Sequence, residues 1–341
     1  MISQEFNSGA HPYCTLGDFA TFGILFSDKI SCILIAGGSI ANEVRSKYNE
    51  ILTEDLKIKQ LPNLQQSFTT SMVLHNGIIL LCGGYKNNEK KCFQLDHGIW
   101  KDHSILNEVR TSHSTVNTKT ATFIFGGKGN SHTTYEYLPK DSTTWITGKT
   151  KIPMGFTNGS AIASKSGQKI WLIGGRNTEK RILAFDVRNH TFQELNFHLN
   201  VTRVGHRCAF IPNTDKIMIT GGYTIGTNNY SKCLDSSEII DLNEGRVSMA
   251  SSMKYKRDCH GMSTITINGE DRLAVYGGFG GKKQRINSME IYNNQIKKWE
   301  TSKMKLKEPR ANFSSLNLKL SELNPHSKNL QGSHNIFGQK L

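Results

Sequence analysis

Six Gly-Gly pairs, each preceded by an apolar run, divide this chain of 341 residues into units of similar length. The pairs begin at Gly37, Gly83, Gly126, Gly174, Gly221 and Gly277. Successive pairs begin between 43 and 56 residues apart, and the mean spacing is 48. Near-equal intervals of this length are typical of an internal structural repeat.

Each unit contains four short segments of strand character. In the fifth unit these segments are predicted over 208–211, 217–220 and 238–241, with a fourth around Val247. They are short and rich in β-branched or aromatic residues, and no helical pattern separates one unit from the next. Four strands in a period near 48 residues predict the blades of a β-propeller.

Large side chains recur at two fixed places after the glycine pairs. Four units combine an aromatic residue near the third strand with another on the fourth: Phe93 and Trp100, Tyr137 and Trp145, Phe185 and Phe192, Tyr292 and Trp299. Units one and five place Ile58 and Val247 at the second of these positions. Together with the glycine pairs, the pattern resembles the Kelch-repeat family. The resemblance implies an all-β fold, a six-bladed Kelch-type β-propeller with four antiparallel strands in each blade.

The resemblance covers about residues 19–318, which leaves an N-terminal extension over 1–18 and a tail over 319–341 that is predicted to be disordered. Two segments, 19–26 and 310–318, are each able to supply the strand that closes the ring. The family's habit of completing a blade with strands from both termini favours the C-terminal segment. A degenerate seventh blade is disfavoured because 321–341 contains no further glycine pair.

Charge and cysteine content narrow the class of protein. There are 42 Lys and Arg residues against 28 Asp and Glu, so the formal net charge is +14, which permits an acidic partner. Nothing favours nucleic acid specifically, and the absence of a long apolar run predicts no membrane insertion. The seven cysteines contain no C-x-x-C pair. We therefore predict free thiols, no intramolecular disulfide, and a reducing cytoplasmic or nuclear location.

Strand alternation places the second-to-third loops and the connections between blades on one face of a propeller, which we call the loop face. The longest of these loops fall in units five and six, and arginines precede several first strands. We predict that a partner binds this face, because binding residues concentrate on loops held by a rigid scaffold. The predicted partner-binding residues are Arg110, Arg203, Arg257, Arg310, His206, His260, Tyr223, Tyr230, Phe279, Lys282, Lys283 and Arg285.

These observations predict a non-enzymatic scaffold that binds an acidic peptide or protein surface, without a cofactor. The Kelch resemblance implies use as a substrate-recognition or cytoskeletal adaptor. The alternative is a Kelch-type enzyme, such as a sialic acid mutarotase, acting in the central channel. His113, His206 and His260 follow arginines at the same spacing, but Phe313 occupies the equivalent position, which disfavours a metal site. The basic surroundings of Cys259 are compatible with a reactive thiol, although an ordinary thiol is the favoured interpretation.

Overall fold

The computed structural model describes residues 31–39, 49–53, 58–61, 71–84, 90–96, 99–225, 231–281 and 284–319. These residues form 26 β-strands, numbered here along the chain, and one short 3-10 helix, Gly129–Thr133. Within the same residues, no helix is long and apolar enough to cross a membrane. The all-β prediction is confirmed.

Five four-stranded antiparallel sheets are each made from one continuous stretch of chain. Sheet 2 contains β4 (Ser71–His75), β5 (Ile78–Cys82), β6 (Lys91–Asp96) and β7 (Ile99–Ile105). Sheet 3 contains β8 (Ser114–Asn117), β9 (Ala121–Phe125), β10 (Tyr135–Pro139) and β11 (Ile146–Thr147). Sheet 4 contains β12 (Ser160–Ala163), β13 (Lys169–Ile173), β14 (Ile182–Asp186) and β15 (Thr191–Glu194). Sheet 5 contains β16 (Arg207–Phe210), β17 (Lys216–Thr220), β20 (Ser237–Asp241) and β21 (Arg246–Ala250). Sheet 6 contains β22 (Gly261–Ile267), β23 (Glu270–Tyr276), β24 (Ser288–Asn293) and β25 (Lys298–Lys305).

A further four-stranded sheet, sheet 1, joins strands from the two ends of the described chain. It contains β26 (Ser314–Lys319), β1 (Ser31–Ala36), β2 (Asn49–Thr53) and β3 (Ile58–Leu61), in that order. β26 pairs antiparallel with β1 over six residue pairs, from Ser31 opposite Lys319 to Ala36 opposite Ser314. The C-terminal alternative for the closing strand is therefore the one observed. The other candidate, 19–26, lies outside the described residues. Of the tail predicted over 319–341, Lys319 is the last residue of β26, so that bound was wrong by one residue, and 320–341 lie outside the described residues.

The innermost strands of the sheets contact one another in a closed cycle. β4 contacts β8, β8 contacts β12, β12 contacts β16, β16 contacts β22, β22 contacts β26, and β26 returns to β4. A radial arrangement of four-stranded antiparallel sheets around an axis is a β-propeller. The predicted architecture of a propeller with antiparallel four-stranded blades is confirmed.

The core lies between neighbouring sheets, and the second strands are buried over most of their length; four of the five residues are buried in β5 and in β17. All five residues of β9 are buried, since both faces of this strand pack against protein. Between sheets 3 and 4, Phe123, Phe125, Tyr135 and Phe185 are fully buried in one cluster. The outer strands are more polar, and β21 has no buried residue. Trp145 and Trp299, which the repeat pattern places at the fourth strands of their units, are both buried.

The first glycine of each pair permits a close approach between sheets. Gly126 has a φ of +67°, and a Cβ atom there would lie 1.8 Å from the carbonyl oxygen of Phe156, in the connection that precedes sheet 4. Both the left-handed conformation and the close approach exclude a side chain at this position. The glycine pairs are thus required by the packing of one sheet on the next.

Sequence reasoning was wrong about one pair of cysteines. Cys82 at the end of β5 lies directly opposite Cys92 on β6, and the two form a disulfide with a Cα–Cα distance of 4.1 Å. Their separation of 10 residues in sequence resembles no familiar motif, because the pairing depends on strand register. Cys208, Cys233 and Cys259 are free thiols. The cytoplasmic location stays a prediction. It was based on the expectation that all cysteines are free thiols, and a disulfide is rare in a reducing compartment.

Candidate functional site

Four of the predicted partner-binding residues are buried arginines. The side chains of Arg110, Arg203, Arg257 and Arg310 have no exposed surface. Each lies just before the first strand of a sheet and pairs with a glutamate on the third strand of the same sheet. The pairs are Arg110 with Glu136, Arg203 with Glu238, Arg257 with Glu290, and Arg310 with Glu50.

Arg203 illustrates how these arginines connect one sheet to the next. Its Nε donates to Oε1 of Glu238 at 2.7 Å, and its Nη1 donates to the carbonyl oxygen of Gly221 at 2.8 Å. Its own carbonyl oxygen accepts from the backbone N–H of Gly175, in sheet 4, at 2.8 Å. The arginine therefore joins the glycine pairs of two neighbouring sheets. The expectation that these four arginines form an exposed basic surface is wrong, because their donors are used inside the protein.

The histidines that follow these arginines are buried as well. His206 and His260 have no exposed surface. Burial, with the neighbouring Arg203 adding to it, lowers the pKa of His206 to about 3, and burial places the pKa of His260 well below its usual value. One ring nitrogen of His260 lies 2.8 Å from the Thr220 hydroxyl. Both rings pack on the first glycine of the preceding sheet, and the described residues contain no cluster of ligands suited to a metal ion.

Cys259 is not an activated thiol in this structure. Burial raises its pKa above the usual range, and the nearby Asp258 carboxylate acts in the same direction. Burial raises the pKa of Cys233 to about 12 and that of Asp258 to about 6. Desolvation outweighs the positive charge of Arg207 near Cys259 and of Lys256 near Cys233, so both thiols remain protonated at neutral pH.

Three other predicted residues lie on the loop face. Tyr223 is half-buried at the start of β18 (Tyr223–Ile225), which forms a hairpin with β19 (Ser231–Cys233) in the long loop of sheet 5. Phe279 packs under the guanidinium of Arg285, which lies 5.1 Å from the centre of its ring. Tyr230, Lys282 and Lys283 lie outside the described residues.

Two exposed cations lie in a groove on the loop face, in the loops of sheets 3 and 4. This groove of about 530 Å³, here called the loop-face groove, lies between the second-to-third loops of sheets 3, 4 and 5. It is lined by Lys128, Gly129, His132, Thr157, Asn158, Arg176, Asn177 and Tyr223. Lys128 and Arg176 are exposed, and Nη2 of Arg176 donates to the Tyr223 hydroxyl at 3.4 Å. No aspartate or glutamate is among these described lining residues.

Lys128 and Arg176 were missed by sequence reasoning although a signal was present. Each is the residue that directly follows a Gly-Gly pair, and Tyr223 and Phe279 hold the same position in sheets 5 and 6. The strand ends at the glycine pair, so the next residue begins the loop on the loop face. Reading this position across all units would have identified the groove.

A second cavity, of about 240 Å³, lies on the propeller axis and is here called the axial cavity. Every innermost strand contributes to its lining, including Met72 of β4, Ser160 of β12 and Arg207 of β16. Most of the remaining lining side chains carry hydroxyl or amide groups. Arg207 is the one charged side chain among the described lining residues, histidine aside.

A belt of backbone hydrogen bonds surrounds the axis at the start of the innermost strands. Its members all have a positive φ, between 49° and 69°. Four of the five donate their amide to the carbonyl of the equivalent residue in the preceding sheet, at 2.7 to 3.0 Å, and the first member, Ser112, accepts such a bond. The residues are Ser112, Asn158, Gly205, Cys259 and Asn312, and all of them line the axial cavity. The belt fixes the width of the cavity through backbone atoms.

No protein-family model and no curated protein matches this sequence.

Proposed function

We propose that this protein is a Kelch-like propeller whose sheets, including the composite sheet 1, make a ring of six blades, and that it serves as a non-enzymatic interaction scaffold. Its partner is an acidic peptide or protein surface, and the loop-face groove is the binding site. The observation that carries this proposal is the pair of exposed cations, Lys128 and Arg176, in a groove whose described lining holds no acidic residue. A role as a substrate-recognition or cytoskeletal adaptor follows from the Kelch resemblance.

The groove combines features that interfaces with acidic partners require. The planar guanidinium of Arg176 is able to make paired hydrogen bonds with a carboxylate, and the Lys128 ammonium adds a second charge. Tyr223 supplies a half-buried aromatic ring, which is a residue type enriched at the centre of interfaces. The Phe279 and Arg285 pair extends the same face toward sheet 6.

A fluorescence anisotropy titration with a labelled glutamate-rich decapeptide tests the proposal. A decapeptide with glutamine in place of each glutamate is the neutral control. The wild-type protein is expected to bind the acidic peptide, with an affinity that falls as salt is added. The double variant K128E/R176E is expected to bind at least about tenfold more weakly, because two charge-assisted contacts are lost.

The opposite face of the propeller offers a matched control. Lys119 and Lys165 line a groove formed by the first-to-second turns of their sheets, and Lys165 is exposed and paired with Asp215. The double variant K119E/K165E makes the same change in net charge there and is expected to bind the acidic peptide nearly as the wild type does. If both double variants weaken peptide binding equally, the affinity depends only on net charge, and the assignment of the groove is wrong.

A further inference from the structure

Arg207 places a positive charge inside the axial cavity that no lining carboxylate balances. Its side chain is half-buried, and its Nη1 donates to the carbonyl oxygen of His206 at 3.0 Å. The four buried arginines described above each have a glutamate partner, whereas no salt bridge to Arg207 forms among the described residues. None of the described residues that line the cavity is an aspartate or a glutamate.

The rest of the lining is polar and uncharged. Ser114 and Ser160 donate their hydroxyl hydrogens to backbone carbonyls at 2.9 Å, which leaves the oxygen of each able to accept from a ligand. Oγ1 of Thr115 is buried and has no hydrogen-bond partner in the described part of the chain. His113 also lines the cavity, but burial lowers its pKa to about 3, so it is neutral at physiological pH.

The Asp258 carboxylate lies near enough for the charge of Arg207 to act on its pKa, but it forms no ion pair with Arg207 and does not line the cavity. A half-buried guanidinium without an ion-pair partner has lost part of its hydration, and an anion in the cavity compensates for that loss. Its planar fork matches the two oxygens of a carboxylate, and the surrounding hydroxyl groups match hydroxyl groups on a ligand. The cavity, at about 240 Å³, is smaller than the roughly 300–1,000 Å³ typical of sites for drug-sized molecules. We infer that the axial cavity binds a small hydroxylated carboxylate, with Arg207 as its anchor. This inference goes beyond the proposed function, because the axial cavity, which adjoins the loop-face groove at Asn158, is a different cavity with a different cationic residue.

Isothermal titration of the full chain with D-gluconate tests the inference, and D-glucitol serves as the uncharged analogue. Gluconate is expected to bind and glucitol to bind at least about tenfold more weakly, since a charged hydrogen-bonded contact is missing. The variant Arg207→Gln is expected to weaken gluconate binding by a similar factor. Arg176→Gln removes an exposed arginine from the loop-face groove and is expected to leave gluconate binding unchanged.

A measurement on the wild-type protein keeps the test independent of how well the Arg207 variant folds. Gluconate, but not glucitol, is expected to raise the thermal unfolding midpoint, because a ligand that binds only the folded state stabilises it. The inference is overturned if gluconate neither binds nor raises the midpoint. It is also overturned if the wild type binds glucitol as tightly as gluconate, or if the Arg207→Gln variant binds gluconate as tightly as the wild type does.

A carboxylate could also reach the cavity as part of a protein partner. Competition between gluconate and the glutamate-rich decapeptide distinguishes the two sources. If the peptide displaces gluconate in proportion to its own binding, the carboxylate belongs to the partner; if both bind together, the site takes a free small molecule. If the K128E/R176E variant loses peptide binding and still binds gluconate, the two sites work independently. The failure of one proposal is then distinguishable from the failure of the other.

Discussion

At the scale of single residues, the buried arginine–glutamate pairs have the largest energetic consequences. Removing one member of such a pair leaves an uncompensated charge in the interior, which typically costs about 3–5 kcal/mol. The variant Glu238→Gln keeps the shape of the side chain and removes the charge that faces Arg203. We expect it to lower the free energy of unfolding by about 3 kcal/mol or more in urea denaturation.

An exposed pair provides the comparison for that variant. Lys165 Nζ lies 2.7 Å from Asp215 Oδ1, and both side chains are more than half exposed. Solvent screening limits the contribution of such a pair to about 0–1 kcal/mol, so Asp215→Asn is expected to have little effect. Similar losses in the two variants would show that the burial of Glu238 is energetically unimportant.

The buried histidines make stability depend on pH. Burial lowers the pKa of His206 and His113 to about 3, whereas an unfolded chain protonates histidine near pH 6.5. Between these values the unfolded state binds more protons, so stability is complete above about pH 6.5 and falls as the pH decreases toward 3. Asp258, whose pKa is raised to about 6, opposes this trend between about pH 4 and 6.

The variant His206→Phe tests this dependence, because Phe313 occupies the equivalent position in another repeat. Urea denaturation at pH 7 and pH 5 measures the loss of stability over that interval. The wild type is expected to lose about 1–2 kcal/mol more than the variant, since each buried histidine contributes about 1.4 kcal/mol per pH unit below its unfolded pKa. Identical losses would mean that His206 is protonated in the folded protein.

At the scale of strands and sheets, the sequence predicted most of what the structure contains. The four strands predicted for the fifth unit match β16, β17, β20 and β21 within one to two residues, because apolar alternation and the glycine pair mark them directly. The burial of the arginines was missed, since an arginine in a connection is ordinarily exposed. A signal existed: the same four repeats that have the arginine also have a glutamate on the third strand.

The disulfide between β5 and β6 was missed for a different reason. Spacing alone does not show which residues of two strands are opposite, and that depends on register and on the loop between them. We now expect mass spectrometry of protein alkylated during lysis to find the peptides of Cys82 and Cys92 linked. Of seven cysteines, two are then bonded, so no more than five react with a thiol reagent after denaturation without reductant.

The energetic effect of this bond follows from the loop that it closes. A separation of 10 residues corresponds to a stabilisation of about 2–3 kcal/mol in the chain-entropy estimate. Reductant is expected to destabilise the wild type by an amount of this order and to leave the double variant C82A/C92A unaffected. Seven reactive thiols in the freshly denatured wild type would contradict the pairing.

At the scale of the whole molecule, the composite sheet determines whether the ring is closed. β26 is the innermost strand of sheet 1, and it contacts both β22 and β4, the innermost strands of its two neighbours. The Arg310 and Glu50 pair reinforces this closure, because the two residues are 260 positions apart in sequence. A contact between such distant segments makes the two ends of the described chain depend on each other for stability.

Two truncations test the closure. A chain ending after Phe313 lacks β26, leaves one edge of β1 unpaired and exposes the innermost strands on either side. It is expected to unfold at a lower denaturant concentration and with a less cooperative transition than the full chain, as in repeat arrays that lack an end. A chain ending after Lys319 retains β26 and its pairing with β1, and is expected to unfold as the full chain does. If the two truncated proteins are equally stable, β26 does not close the ring, and the N-terminal segment over 19–26 becomes the remaining candidate for that position.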